Sequence, residues 1–524
     1  MKILSQNNWK DGYLDYHRGP NDFRIKVLAI KNLEKIEESY VVRPRSAKMV
    51  WNYLLKFGPT AVFRKIKSRI SEEARNEKYI SCGIGEVIET PETDMLLTGE
   101  KVVFILPSHP AIVERIVLPK FLFTNAQKEL MKITPRKIKH LFLNKNNSNA
   151  WWSVLREWSL HSTSSLENEV SSKLLENAKL EIEGGNWSEA KEYLTSDNNF
   201  VSEFKQGTQS KSLRKKAILF GLGNYAKVQI IPNIKKYINL IGIHEIDPTQ
   251  IPSNFKVSRI DTSPSPRENE NYDALFIAGY HHTHTPIAID ALQKNKYAVA
   301  EKPIVVNREQ LNNLVKAMDN KKSKFFAGFH KRYSPFNSLA LVDLNVKNGD
   351  PIDYHCIAYE VPYPKYFWYN WPISKGPITA NGCHWIDHFL YLNNWSKPAK
   401  LELFLAKNMT TNTTIYLENG AIFTMTLTEQ GSSYIGVQDY VELRIKNKTA
   451  KIIDDSKYIS EGGEGVIRKK SINKMKNYRL MYENISERIA NDKEGDSLIS
   501  VKTSTEAMLD LEDIYAKKLN ELVK

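Results

Sequence analysis

The feature that most constrains this chain is an apolar strand running straight into glycines, Ala217-Ile-Leu-Phe-Gly-Leu-Gly-Asn-Tyr-Ala226. A helical pattern opens directly after it. From residue 213 the alternation of short strand and helix continues. Strands are expected at 217–220, 240–243, 274–277, 297–299 and 325–328, with helices such as 285–293 and 308–318 between them. This rhythm predicts a parallel sheet with helical crossovers. After about residue 340 the strands lengthen, at 352–359, 400–407, 413–417, 421–427 and 441–444, which predicts a largely antiparallel sheet. Residues 503–522 place Leu511, Ile514, Tyr515, Leu519 and Leu522 on one face of a helix.

The N-terminal part reads differently. Residues 1–125 are mostly β, with period-two alternation in Phe23-Arg-Ile-Lys-Val-Leu-Ala29 and in parts of 83–89. Strands at 100–106 and 111–118 flank an expected turn at Pro107-Ser-His-Pro110. Residues 126–212 turn helical, at 151–158 and 166–182, and end in a linker-like stretch.

Bulk properties narrow the classes. The 524 residues are enough for three or four compact units, and 41% hydrophobic with 26% charged residues is ordinary for a globular protein. No apolar run reaches the ~18 residues of a membrane helix, and the start lacks a secretory h-region. Cys82, Cys356 and Cys383 are the only cysteines, which gives no disulfide framework and no Cys-rich zinc site. A cytoplasmic protein without a metal is expected. Net charge is +14, but the basic residues are scattered and no nucleic-acid motif accompanies them. The expected partner is a small molecule, and a phosphorylated one suits the charge.

The glycine turn has the spacing of a dinucleotide cradle. Gly221 permits the tight turn, Gly223 lets backbone approach a pyrophosphate, and Ala226 lets the helix pack closely; Asn224 and Tyr225 complete the loop. The helix N-terminus then faces the phosphates. About 20 residues on, Gly242-Ile-His-Glu-Ile-Asp247 places Glu245 where an acid binds ribose hydroxyls, favouring NAD over NADP, with Asp247 as second candidate. Lys302 follows the strand at 297–299, at the edge where such sheets bind ligands, and Pro303 fixes the turn that aims it. In Gly382-Cys-His-Trp-Ile-Asp-His-Phe389, a helical spacing puts His384, Asp387 and His388 on one face. Histidine suits proton transfer near neutral pH.

Together these segments resemble the Gfo/Idh/MocA oxidoreductases. His284 in Gly279-Tyr-His-His-Thr-His-Thr-Pro286 and Glu301, Lys302 and Pro303 in Ala300-Glu-Lys-Pro-Ile304 match that family's motifs. So does Gly328-Phe-His-Lys-Arg-Tyr-Ser-Pro335. The resemblance implies that Lys302 approaches the reacting hydroxyl and the nicotinamide, and that His384 is the general acid/base, with Asp387 to orient it. Arg332 and Tyr333 line the crevice or pack the domain junction. Apart from the resemblance, Trp368, with Tyr366, Tyr369 and Trp371, forms either a substrate-stacking wall or a packed loop, and His388 is expected on the substrate side. One departure stands out: where the family has an acid before the histidine, this chain has Ala380 and Asn381.

Within the family the chain is most similar to bi-domain oxidoreductases. Pro20–Ala29, Ser81–Ile88 and Gly99–Val103 resemble a GroES-like β-domain of the zinc alcohol dehydrogenase type, stripped of its zinc ligands and of its own Rossmann unit. The expected fold is therefore α/β and α+β multidomain. It comprises a degenerate GroES-like β-domain (1–125), a helical connector (126–212), a Rossmann domain (213–335) and a substrate and oligomerisation domain (336–524). The function it implies is NAD(P)-dependent oxidation or reduction of a secondary alcohol or ketone of a sugar, nucleotide sugar or cyclitol, in carbohydrate or polysaccharide biosynthesis, by a homo-oligomer. Two alternatives are a redox-neutral NAD-using lyase, epimerase or glycosidase, and a non-catalytic scaffold on a decayed fold.

Overall fold

The computed structural model describes residues 214–523 apart from 252–254, 319–321, 348, 363–368, 370–373 and 432–435. Before residue 214 it describes 2–5, 8–12, 22–35, 51, 54, 55, 59, 78–90, 98–110, 115–119 and 123–125. The expected connector at 126–212 and the side chains of Tyr366, Trp368 and Trp371 lie outside the described residues.

In the N-terminal part, β1 (Lys2–Ser5) and β2 (Asn8–Asp11) form a hairpin-like pair. A five-stranded antiparallel sheet contains β3 (Asp22–Lys35), β4 (Lys78–Glu89), β5 (Lys101–Pro110), β6 (Arg115–Pro119) and β7 (Phe123–Asn125), in the order β6-β3-β4-β5-β7. The alternation seen at 23–29 is real: Phe23, Ile25 and Val27 are buried while Lys26 is exposed. The turn expected at 107–110 is instead the end of β5.

The alternating segment folds as expected. β8 (Lys215–Phe220), β9 (Ile238–His244), β10 (Arg259–Asp261), β11 (Ala274–Ile277), β12 (Tyr297–Glu301) and β13 (Phe325–Gly328) form one all-parallel sheet. Its order, β10-β9-β8-β11-β12-β13, is the doubly wound order, reversing between β8 and β11. The helices are α1 (Ile231–Ile234, continuing a π-turn at Ala226–Ile230), α2 (His284–Gln293) and α3 (Arg308–Met318). Both sheet faces are covered, so β11 is buried at all four positions, Ala274 to Ile277.

α4 (Pro335–Asp343) leads into an eight-stranded sheet. It contains β14 (Asp353–Tyr359), β15 (Pro398–Leu405), β16 (Thr411–Leu417), β17 (Ile422–Thr428), β18 (Gln438–Ile445), β19 (Lys448–Ile453), β20 (Lys457–Gly462) and β21 (Gly465–Ser471). Every pairing is antiparallel except β14 with β17. One face packs Tyr354, Phe423, Met425, Val441 and Leu443 against α4, α5 (Cys383–Leu392) and α7 (Leu498–Val523). The opposite face leaves Ile357 and Phe404 exposed.

The chain then returns to the parallel sheet. α6 (Lys476–Ala490) lays Met481, Tyr482, Ile485 and Ile489 on one face, and Val501, Met508 and Leu509 of α7 join the core on the other. α7 therefore serves both sheets. Leu511, Tyr515 and Leu519 are buried as its spacing predicts, whereas Leu522, in the last turn, is exposed. No helix among the described residues is long and apolar enough to cross a membrane.

Candidate active site

The glycine turn has the shape its sequence requires. Gly221 sits at φ +87°, and a Cβ there would lie 2.5 Å from the carbonyl oxygen of Ala278. Only glycine fits. Around Gly223 the space a Cβ would take is open within 4 Å, and the residue faces solvent. Ala226 is buried against the sheet. The loop is thus a backbone cradle into which a pyrophosphate fits.

Glu245 braces that cradle. Its carboxylate accepts from the backbone N–H of Leu222 (2.6 Å) and of Asp247 (3.0 Å). Burial pushes its pKa up to about 7, against the two N–H donors. Behind it, His244 stacks on Phe220 and contacts Glu270 at 2.8 Å. Arg259 and Arg267 close the cluster by pairing with Asp261, and Arg259 with Glu270. The ligand atoms of His244, Asp261 and Glu270 lie within 4.8 Å of one another, but those two guanidinium groups already neutralise the acids.

The end of β12 carries the next group of residues. Glu301 is buried and accepts from Tyr225 (3.0 Å) and from Tyr482 of α6. Burial pushes its pKa up to about 7, opposed by the two phenols and by the charge of Lys302. The Lys302–Pro303 peptide is cis. His284 lies beneath this turn, with Nδ1 donating to the Pro303 carbonyl (2.8 Å) and Nε2 3.1 Å from the Gly279 carbonyl oxygen. His284 is therefore a buried brace of the Lys302 turn.

Lys302 crosses from the parallel sheet to the second unit. Its Nζ donates to the Ala380 carbonyl (2.6 Å) and to Asn381 Oδ1 (3.2 Å), and lies 5.5 Å from the centre of the Tyr369 ring. Burial works against its charge, but Tyr369, Cys383, Glu360 and Glu301 outweigh it and raise its pKa. The side chain is a permanent ammonium, a donor rather than a base. The Ala380 carbonyl is aimed by a π-turn, Ile378–Gly382, which precedes α5. Glu512 of α7 pins that turn by accepting from Gly376 N, Thr379 N and Thr379 Oγ1.

α5 separates the three residues expected to act together. His384 is partly buried, and its Nδ1 has no hydrogen-bond partner among the described residues. Burial and the nearby His330, Lys302 and Lys331 hold its pKa well below the imidazole range, so it is neutral. Its neighbour is the His330 ring, edge-on at 4.6 Å, which in turn stacks on Tyr478 at 4.0 Å and contacts Asp455 at 3.4 Å. Asp387 does not orient His384. Its carboxylate accepts from Arg332 Nε (2.9 Å) and Nη2 (2.5 Å) and from Ser504 Oγ (2.7 Å). Arg332, with a further contact to Asp496, is thereby buried in an ion-pair network and does not face the crevice. His388 is likewise a core residue: it accepts from Tyr354 OH at Nδ1 (3.1 Å) and donates from Nε2 to Asn337 Oδ1 (2.9 Å). Burial pushes its pKa down to about 3. Tyr333 packs against the parallel-sheet core, at the junction with α6.

A cleft opens beside the Lys302 contact, lined by Glu360, Tyr369, Ala380, Asn381, Thr411 and Thr428 among others. Glu360 follows β14 directly and belongs to no recognisable motif.

This geometry is that of a doubly wound, dinucleotide-binding type of domain, with a lysine carried from its sheet edge to a second, antiparallel unit. Residues 215–329 match the model of the oxidoreductase family GFO_IDH_MocA, NAD-binding Rossmann fold. No curated protein matches the chain. Similar solved structures include UDP-N-acetylglucosamine 3-dehydrogenase from Acidithiobacillus ferrooxidans, 14% identical over 59% of this chain and 100% of that one, at a TM-score of 0.48. Apo scyllo-inositol dehydrogenase from Lactobacillus casei is 17% identical over 58% of this chain and 96% of that one, at 0.47. A dehydrogenase from Chromobacterium violaceum is 13% identical over 59% and 98%, at 0.49.

Proposed function

We propose that the chain is an NAD-dependent oxidoreductase that interconverts a secondary alcohol and a ketone on a sugar, nucleotide sugar or cyclitol. The observation that carries this reading is the placement of the Lys302 ammonium, which leaves the C-terminal edge of the parallel sheet and meets Ala380 and Asn381 at the mouth of the second unit. Gly221, Gly223, Asn224, Tyr225 and Ala226 hold the pyrophosphate. Glu245 receives ribose hydroxyls with its remaining lone pairs, and its charge disfavours a 2′-phosphate. When bound, the nicotinamide supplies the hydride acceptor or donor.

The rest is the work of this chain. Lys302 holds the substrate oxygen and stabilises the negative charge that develops on it. Neutral His384 takes or returns the hydroxyl proton. Glu301, Tyr225, Tyr482 and His284 fix the turn that aims Lys302. Residues 1–125 serve as a non-catalytic β-module, and the open face of the eight-stranded sheet, with Ile357 and Phe404, is the surface for a second copy. Calorimetric titration with NAD and NADP tests the cradle. Micromolar NAD binding, abolished in Gly223→Trp, is expected; folded protein that binds neither nucleotide defeats the reading.

A further inference from the structure

We infer that Glu360 is a substrate-contacting carboxylate that accepts a hydrogen bond from the hydroxyl next to the one held by Lys302, so that the site selects vicinal diols. The inference rests on the oxidoreductase reading above and gives it a substrate class.

Glu360 is unlike every other buried acid among the described residues. Glu245 is satisfied by two backbone N–H groups, Glu301 by two tyrosines, Asp387 by Arg332 and Ser504, and Glu512 by the turn it pins. Asp343 has Tyr458, Ser460 and Arg468, while Asp439 and Asp455 share Lys331. The Glu360 side chain is only 8% exposed, yet no hydrogen bond or ion pair within the described residues reaches its carboxylate. Its carboxylate oxygens are not fully shut off from solvent, yet an acid this deeply buried without a protein partner calls for an explanation. Its backbone is not loose, since its N–H donates to the Thr428 carbonyl at 2.9 Å.

The surroundings supply the explanation. Glu360 lines the same cleft as Asn381 and Tyr369, the two side chains that meet the Lys302 ammonium. The charges that face it are Lys302 and Lys474 on one side of the balance and Asp439 and Glu429 on the other. Lys302 and Glu360 attract each other but are not in ion-pair contact, and Lys302 uses two of its three N–H groups on protein. A carboxylate on the cleft wall, within the field of an ammonium that meets two other residues of that wall, matches two adjacent hydroxyls, one accepting from Lys302 and the next donating to Glu360. With Ala380 and Asn381 where an acid is expected, the end of β14 in the same unit supplies a carboxylate instead.

The test uses the full chain, with wild type, Glu360→Gln and Glu360→Asp. The first readout needs neither substrate nor cofactor. An unpaired buried acid has a folded-state pKa above its unfolded one, so it destabilises the fold as pH rises from about 4.5 and does so fully above about 7. Glu360→Gln cannot ionise, so it should melt about 3 °C or more above wild type at pH 8.5 and level with it at pH 4.5. An equal difference at both pH values overturns the premise that Glu360 is unpartnered.

The second readout is NAD reduction with scyllo-inositol and UDP-N-acetylglucosamine as vicinal hydroxyl compounds and cyclohexanol as a lone alcohol. Glu360→Gln should raise KM for the diol substrate by about 10- to 100-fold with a smaller change in kcat. Glu360→Asp should recover part of it, and cyclohexanol should be unaffected. The wild-type KM for the diol should rise from pH 8 to pH 6, and that dependence should vanish in Glu360→Gln. If neither diol compound is turned over, calorimetry with the same compounds on the NAD complex replaces the rates; absence of binding, or an unchanged constant in Glu360→Gln, overturns the diol assignment. NAD binding is measured in parallel. Its failure defeats the oxidoreductase reading, whereas intact NAD binding with an unchanged KM defeats only this inference.

Discussion

The two walls that meet at Lys302 are built on opposite principles. On the parallel-sheet side the polar groups are tied down: Glu245 by two N–H donors, Glu301 by Tyr225 and Tyr482, and His284 by the carbonyl of Pro303. On the side of the antiparallel sheet, two groups have no hydrogen-bond partner among the described residues: the buried His384 Nδ1, and the Glu360 carboxylate, which lines the cleft. On the proposed function, the difference separates a wall for binding from a wall for chemistry. A wall that must hold one fixed ligand shape is preorganised by internal hydrogen bonds, whereas a wall that must exchange protons and hydroxyls keeps capacity open. The same contrast runs along α5. His384 is unpaired, while Asp387 and His388, three and four residues on, are fully engaged in the core.

The comparison can be broken most directly at Lys302. Lys302→Ala is expected to lower kcat/KM by about 10³-fold or more while NAD affinity stays within about threefold. Equal losses of both, measured by initial rates and calorimetry, would place Lys302 on the cofactor wall instead. The next largest effect separates neighbours on α5. Asp387→Asn should lower unfolding free energy in urea by about 3 kcal/mol, because it leaves the buried Arg332 with Asp496 as its one remaining counter-charge. His384→Asn should leave the urea midpoint nearly unchanged and slow turnover about 10²-fold. Comparable destabilisation by both would make His384 a core residue.

On the tied-down wall, Gly221→Ala forces a Cβ onto the Ala278 carbonyl at a positive φ. A loss of about 2–3 kcal/mol of stability, with weaker NAD binding, is expected. A stable variant with intact affinity would show that the loop is not the cradle. The smallest effect sharpens the core assignment of His388. Its folded pKa lies below its unfolded one, so the unfolded chain takes up the proton first and stability falls as pH drops below about 6.5. This group alone costs about 2 kcal/mol by pH 5. Comparing urea unfolding at pH 7 and pH 5, His388→Asn should show a pH dependence smaller by that amount.

Much of this was legible from local pattern. Gly221 and Gly223 after an apolar strand, Lys302 at a strand end, and the alternation of strand and helix after residue 213 all act over a few residues, where sequence spacing and spatial spacing coincide. The misses share a different cause. A helical spacing of three and four shows that His384, Asp387 and His388 share a face, but the partners arrive from elsewhere: Arg332 from the β13–α4 connection, Ser504 from α7, Tyr354 from β14. β19, β20 and β21 are not anticipated by the sequence pattern: their apolar residues are few and interrupted by polar ones, and β21 is exposed throughout. The apolar stripe of α6 is interrupted by polar residues, which hides it in the sequence, although it closes one face of the parallel sheet.

By itself the sequence determined the parallel sheet, the glycine cradle and the lysine at its edge, since each follows from backbone freedom and hydrophobic period within one segment. Only the tertiary structure decided which ionisable groups are spent on stability and which are left open. Arg332 and Glu360 illustrate this: nothing in their own neighbourhoods marks one as buried in an ion pair and the other as an unpartnered carboxylate. That outcome depends on desolvation and on charges brought from distant segments, and both exist only once the chain has packed.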